Sequence, residues 1–128
     1  MNKELQLFFD LFIMTERDGS VYINYKNFLK NYQDGTIQIT FKNFIKALLF
    51  EIQSKHIQKV VCLVKEAELT NEFMAALDVI KFTRLLHCFT LILSNTENLS
   101  CLQIDYPELS IHERNWSPKT VHSMVSFM

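Results

Sequence analysis

The sequence predicts a mainly α fold, a compact bundle of five to six helices around a central buried helix spanning about 71–94. Three observations carry that expectation. Apolar residues recur with the 3.6-residue period of a helix over several stretches, most clearly at Phe41, Phe44, Ile45, Leu48, Leu49 and Ile52. The 128 residues include only 2 Gly and 2 Pro, too few for the tight hairpins of a strand-rich barrel. The stretch from Phe73 to Leu93 is apolar nearly all round, as in a helix surrounded by other elements. Minor extended elements accompany the helices, and if they pair the class becomes α+β instead. A chain of this length forms one domain over 1–128, large enough to bury a core without disulfides or metal. With 48% apolar and 21% charged residues it reads as globular.

The elements follow in order. In 2–15, Leu5, Phe8, Phe9 and Phe12 share one helical face, which Leu7, Leu11 and Met14 widen, and Arg17-Asp18-Gly19-Ser20 ends the helix in a turn. An internal echo follows: the thirteen residues 18–30 are matched by 34–46, each reading Asp-Gly, an alternating apolar tripeptide, a capping residue and a helix onset. The tripeptides Val21–Ile23 and Ile37–Ile39 form either a two-stranded ribbon or the first turns of the helices. Thr40 opens an amphipathic helix, and a second runs from His56 to Leu69 on the stripe Ile57, Val60, Val61 and Val64. Thr70 caps the central helix, with Asn95 as its stop. Residues 96–116 lose the helical period, and the alternation around Asp105-Tyr106-Pro107-Glu108 suggests a short hairpin or two extended arms. Ser117-Pro118 then starts a short final helix.

Most chemistry is excluded by what the motifs lack. Scarce glycine argues against P-loop and Rossmann phosphate sites. Placing Gly19 or Gly35 at the sixth position of a calcium loop leaves neither the first Asp nor the bidentate Glu in place. No Cys-x-x-Cys occurs, and no two histidines stand four apart, so neither metal nor cofactor is expected. Asp78 with Lys81 is an ordinary surface pair, and Asp10 marks the solvent edge of the first helix. The chain is therefore expected not to be an enzyme. Three widely spaced cysteines, no secretion signal and no membrane-length apolar run place it inside a cell, in cytoplasm or nucleus, and away from membranes. Abundant Phe, Ile, Lys and Asn is what AT-rich coding yields, which hints at a viral or similarly AT-rich source.

Charge is the most informative feature. The net charge is −1, yet residues 21–65 carry seven lysines against Asp34 and Glu51, a net +5, and residues 66–113 carry eight acids against Lys81 and Arg84, a net −6. Lys26 with Lys30, Lys42 with Lys46 and Lys55 with Lys59 are spaced to share helix faces, and Tyr22, Tyr25 and Tyr32 fall in the same basic region. Trp116, Val121, Met124 and Phe127 mark a candidate interface, because a helix of about ten residues is unstable unless it docks. The expected function is a non-catalytic protein–protein interaction module: an adaptor, regulatory subunit or small viral effector. Its partner is another protein, or a second copy of the chain in a homodimer. The alternative is a nucleic-acid-binding accessory protein that uses the Lys/Tyr-rich region.

Overall fold

The computed structural model of the chain describes residues 5–94 and 99–113. It is an α/β fold built on a five-stranded mixed sheet, which overturns the expected helical bundle. The order is α1 (Gln6–Asp10), β1 (Met14–Arg17), β2 (Ser20–Asn24), α2 (Tyr25–Gln33), α3 (Phe41–Gln53), β3 (Lys59–Lys65), α4 (Asn71–Phe82), β4 (Phe89–Ser94), α5 (Leu99–Asp105) and β5 (Ser110–Glu113). Strand order in space equals order in the chain. The β1–β2 pair is antiparallel, and β2 through β5 run parallel, with Val21 beside Val60, Cys62 beside Leu91 and Leu91 beside Ile111.

Two of the expected helices are therefore wrong in type. The stretch His56–Leu69 contains β3, and the central helix 71–94 divides into α4, a 3₁₀ turn at Leu86–Cys88, and β4. Both strands bury side chains on both faces, so they read as unbroken apolar runs, Val-Val-Cys-Leu-Val and Phe-Thr-Leu-Ile-Leu. Such a run carries no period of two, and it satisfies helical spacing by default. No Gly or Pro marks the end of α4. The break falls at Thr83 and Arg84, where Thr83 Oγ1 donates to the Ile80 carbonyl (2.8 Å) and Arg84 takes φ 63°. Scarce glycine limits the number of tight hairpins but does not exclude a parallel sheet, whose strands are joined through helices. The one hairpin among the described residues, β1–β2, places a glycine there: Asp18 and Gly19 have φ of 54° and 79°, the paired positive values of a type I′ turn.

The expected first helix is shortened to α1, and Phe12, at φ 58°, turns the chain into β1. The echo in the sequence serves two structures. Asp18-Gly19 makes the hairpin, whereas Asp34 caps α2 and Gly35 follows at φ 82°. Val21–Ile23 lies in β2 between β1 and β3. Ile37–Ile39 lies outside the sheet, so the two tripeptides do not pair. The expected hairpin over 102–111 is instead α5 followed by β5, which pairs with β4.

All the described helices cover one face of the sheet. Phe8, Phe28, Phe44, Leu77 and Leu102, from α1 to α5 in turn, join Val60, Cys62, Val64, Phe89, Leu91 and Leu93 in one core. An aromatic layer fills its middle. Tyr25 meets Phe41 and Phe73 edge to face, with centroids 4.6 and 4.9 Å apart, and Phe8 lies 4.5 Å from Phe44. Phe44, Leu48, Leu77, Leu86 and Phe89, which the helix stripes place inside, are all buried. The other face bears a separate small cluster of Val61, Leu63 and Ile92 with Tyr22 against it.

Candidate functional site

An open, mostly apolar groove runs between α3 and α4, which pack against each other. Each helix starts at a threonine cap: Thr40 Oγ1 accepts from the Asn43 amide (3.2 Å), and Thr70 Oγ1 from the Phe73 amide at a longer 3.5 Å. With its start fixed, α3 turns Phe41, Phe44, Ile45, Leu48 and Ile52 into the core. Lys42, Lys46, Leu49, Phe50 and Gln53 fall on the next face, at spacings of three and four. On α4, Ala75, Asp78, Val79, Phe82 and Thr83 line the opposite wall at spacings of i, i+3, i+4, i+7 and i+8. The groove encloses about 750 Å³ and is shallow and mostly apolar.

Two phenylalanines stand at its C-terminal end. Phe50 is 63% exposed and Phe82 is 90% exposed. An apolar ring left in water forfeits roughly 25 cal/mol for each Å² it could have buried, so two on adjoining helices make a contiguous sticky surface. The small side chains of Ala75 and Val79 leave the floor low beside them. Lys42 and Lys46, one turn apart and exposed, give the other end positive charge.

The α4 wall is held from behind. Asp78 accepts a hydrogen bond from the Tyr106 hydroxyl (2.6 Å), and Lys81 Nζ donates to the Asp105 carbonyl (2.8 Å) while lying 5.5 Å from the Tyr106 ring centre. Burial, together with Asp78, pushes the Tyr106 hydroxyl pKa well above its usual value. Asp78 thus places a carboxylate on the α4 wall of the groove that Lys42 and Lys46 line from α3.

The residues singled out in the sequence are dispersed. Lys42 and Lys46 line the groove. Lys26 and Lys30 are exposed on α2, Lys55 sits in the turn after α3 at φ 64°, and Lys59 opens β3. Tyr25 is fully buried in the aromatic layer, with no ring face open to a ligand. Its hydroxyl makes no hydrogen bond of sound geometry, although the Thr70 hydroxyl is near enough to act on its titration. Tyr32 is half-buried, its ring stacked 6.2 Å from Phe28, and Tyr22 projects from the opposite face of the sheet. Trp116, Val121, Met124 and Phe127 lie outside the described residues. Phe50 and Phe82 went unrecognised in the sequence. The signal for Phe50 was present, because it falls off the α3 core stripe. That for Phe82 was hidden by an apparently all-apolar helix.

Among the described residues, no group of three His, Cys, Asp or Glu side chains could hold a metal ion. Glu51, buried in α3, meets His56 Nδ1 at 2.7 Å in a pair that closes the end of that helix. Cys62 is buried in the sheet, and burial raises its pKa far above the ordinary thiol value, which disfavours the thiolate a nucleophile needs. No helix among the described residues is long and apolar enough to cross a membrane. Comparison with protein-family models, curated proteins and solved structures gives no match for this chain.

Proposed function

We propose that the chain is a non-catalytic protein-interaction module whose α3–α4 groove receives an acidic, amphipathic helical segment of a partner protein. The observation that carries this reading is the exposure of Phe50 and Phe82 side by side on an apolar groove with Lys42 and Lys46 at its other end. The lining residues span about eleven positions of α3, or roughly 16 Å, which matches three turns of an incoming helix. Such a helix would present two or three apolar residues at i, i+3, i+4 or i+7 to the rings. Its acidic residues would pair with the lysines, which set orientation and association rate more than affinity.

The test uses a designed helical peptide with leucines at i and i+4 and glutamates between, titrated into the full chain and followed by backbone amide shifts. The shifts should cluster on α3 and α4. F82A should weaken binding by at least tenfold, which corresponds to about 1.4 kcal/mol. K42E with K46E should reverse the preference toward a lysine-rich peptide of the same pattern. Shifts confined to other surfaces, or none at ~1 mM peptide, the weak end of the affinity scale, would remove the groove as the site. A single-stranded oligonucleotide is the competing probe. If it binds more tightly than the peptide, and weakens steeply with salt, the lysines serve a phosphate backbone instead.

A further inference from the structure

The α3–α4 groove is complementary to itself. On its α3 wall Lys46 is followed by Phe50, and on its α4 wall Asp78 is followed by Phe82. Each pair is a charge and a ring four residues apart, and the two charges are opposite in sign. The helices run in the same direction, because each returns the chain to the start of a strand parallel to its neighbour, α3 before β3 and α4 before β4. Counted from the threonine caps, Lys46 is the sixth residue of its helix and Asp78 the eighth of its own, a difference of about 3 Å along the axis. Both walls thus carry charge and ring at similar heights, with the rings at the same end. The charges are also available. Among the described residues neither Lys42 nor Lys46 makes an ion pair, and Asp78 is bound only at Oδ1, by the neutral Tyr106 hydroxyl.

We infer that a second copy of the chain occupies this groove when no partner helix does, a step that rests on the reading of the groove as a docking surface and adds how that surface is regulated. The two copies are related by a two-fold axis running along the groove, which lays α3 of one along α4 of the other in the same direction. Lys46 then meets the second copy's Asp78, and Phe50 meets the second copy's Phe82. Symmetry makes each contact twice. The rings so covered are those left 63% and 90% exposed in the single chain. A two-fold axis across the groove sets α3 on α3 and α4 on α4 instead, with lysine wall against lysine wall and acid against acid, and is disfavoured by charge.

The size of the surface fixes the strength of the contact. A footprint about 16 Å long and two helix widths, about 20 Å, across covers roughly 300 Å² per copy, well under the ~800 Å² a side of a stable complex. The association is therefore weak and reversible, which is what lets a partner helix displace the second copy.

Sedimentation of the full chain tests this. Its weight-average mass should rise from 15.1 kDa toward twice that value between ~10 μM and ~1 mM, the range of weak association. The acidic peptide should return it toward 15.1 kDa. K46D alone and D78K alone should each move the association at least tenfold higher in concentration, because each sets like charges against one another twice. Mixing the two variants should restore it, because every reversed charge then faces an opposite one. Should D78K fail to fold, the unaltered chain decides by itself: in a sample of two differently labelled populations, Phe50 ring protons of one should contact Val79 methyl groups of the other. A chain that stays at 15.1 kDa at ~1 mM overturns the inference, and peptide shifts on α3 and α4 in that same sample leave the partner helix standing. Dimers without the Phe50–Val79 contacts between chains, or whose folded variants show no recovery on mixing, use another surface and overturn it too. Dimers that recover on mixing while the groove takes no peptide uphold the second copy and remove the partner helix.

Discussion

At the scale of single residues, the molecule places ionisable groups where their charged forms are disfavoured. The Tyr25 hydroxyl is pushed up to about 12 from a usual 10.0, first by burial and then by Glu72, Cys62 and Glu68, with Thr70 opposing. Cys62 is raised from 9.0 by burial, with a smaller contribution from Glu68. In both cases the folded state keeps a proton that the unfolded chain has already lost, so the sign is fixed. Stability is complete below the unfolded values and falls as pH rises through the window above them. Denaturant midpoints should therefore be flat through neutrality and decline from pH 9, more steeply beyond pH 10. Tyr25→Phe should remove part of that decline. It should cost little at pH 7, because the lost hydroxyl has no well-formed hydrogen bond to forfeit. Identical alkaline slopes for the two proteins would show that the Tyr25 proton is not coupled to folding.

At the scale of elements, the sequence was most legible in α3, where one face is wet over three turns. The α3 helix was readable in full, from its Thr40 cap to Ile52, because lysines and polar residues alternate with the core stripe at helical spacing. Its lysine pair, half of the candidate groove, was readable for the same reason. Two elements were illegible because they have no wet face, whereas α5 was missed because it is only seven residues long and shows no sustained helical period. Val60–Val64 and Phe89–Leu93 are buried on both sides, and what identified them was chemical: β-branched residues in a short run closed by Lys59 and Lys65 in the first case. The end of α4 was unreadable because Thr83 and Arg84 make the turn without glycine. Phe82 was hidden with it, and so was the second wall of the groove. The joint between α4 and the last described elements rests on Tyr106, a largely buried ring whose hydroxyl reaches Asp78. Tyr106→Phe should cost about 1.5–3 kcal/mol, the range for a hydrogen bond to a charged acceptor. Asp78→Asn should lose less, since its amide can still accept. Thermal unfolding of the two variants checks the order, and a neutral Tyr106→Phe would mean that the bond contributes nothing net.

At the scale of the whole molecule, sequential strand order has a consequence for both function and stability. In open α/β sheets, ligand crevices form where the strand order reverses and neighbouring crossovers diverge to opposite faces. Here the order β1 to β5 does not reverse, and the described helices share one face, so the described residues form no crevice of that kind. One exposed apolar surface, carrying Phe50 and Phe82, lies instead between helices α3 and α4. That placement suits contact with another protein more than enclosure of a small molecule. The same topology orders the stabilities of the strands. β3 and β4 are paired on both edges and buried on both faces, whereas among the described residues β1 and β5 are paired on one edge only. Opening β3 would sacrifice both of its ladders and expose Leu63, Val64 and Val60 at once, which amounts to unfolding the domain. Opening β5 breaks one ladder and exposes little beyond Ile111. Amide exchange in the native state should therefore be slowest at Val60–Val64 and Leu91–Leu93, with free energies equal to that of global unfolding. It should be faster by an order of magnitude or more at Ser110–Glu113, about 1.4 kcal/mol or more below the global value. Exchange in β5 as slow as in β3 would show that the sheet opens as one unit and that its edge is held by more than one ladder.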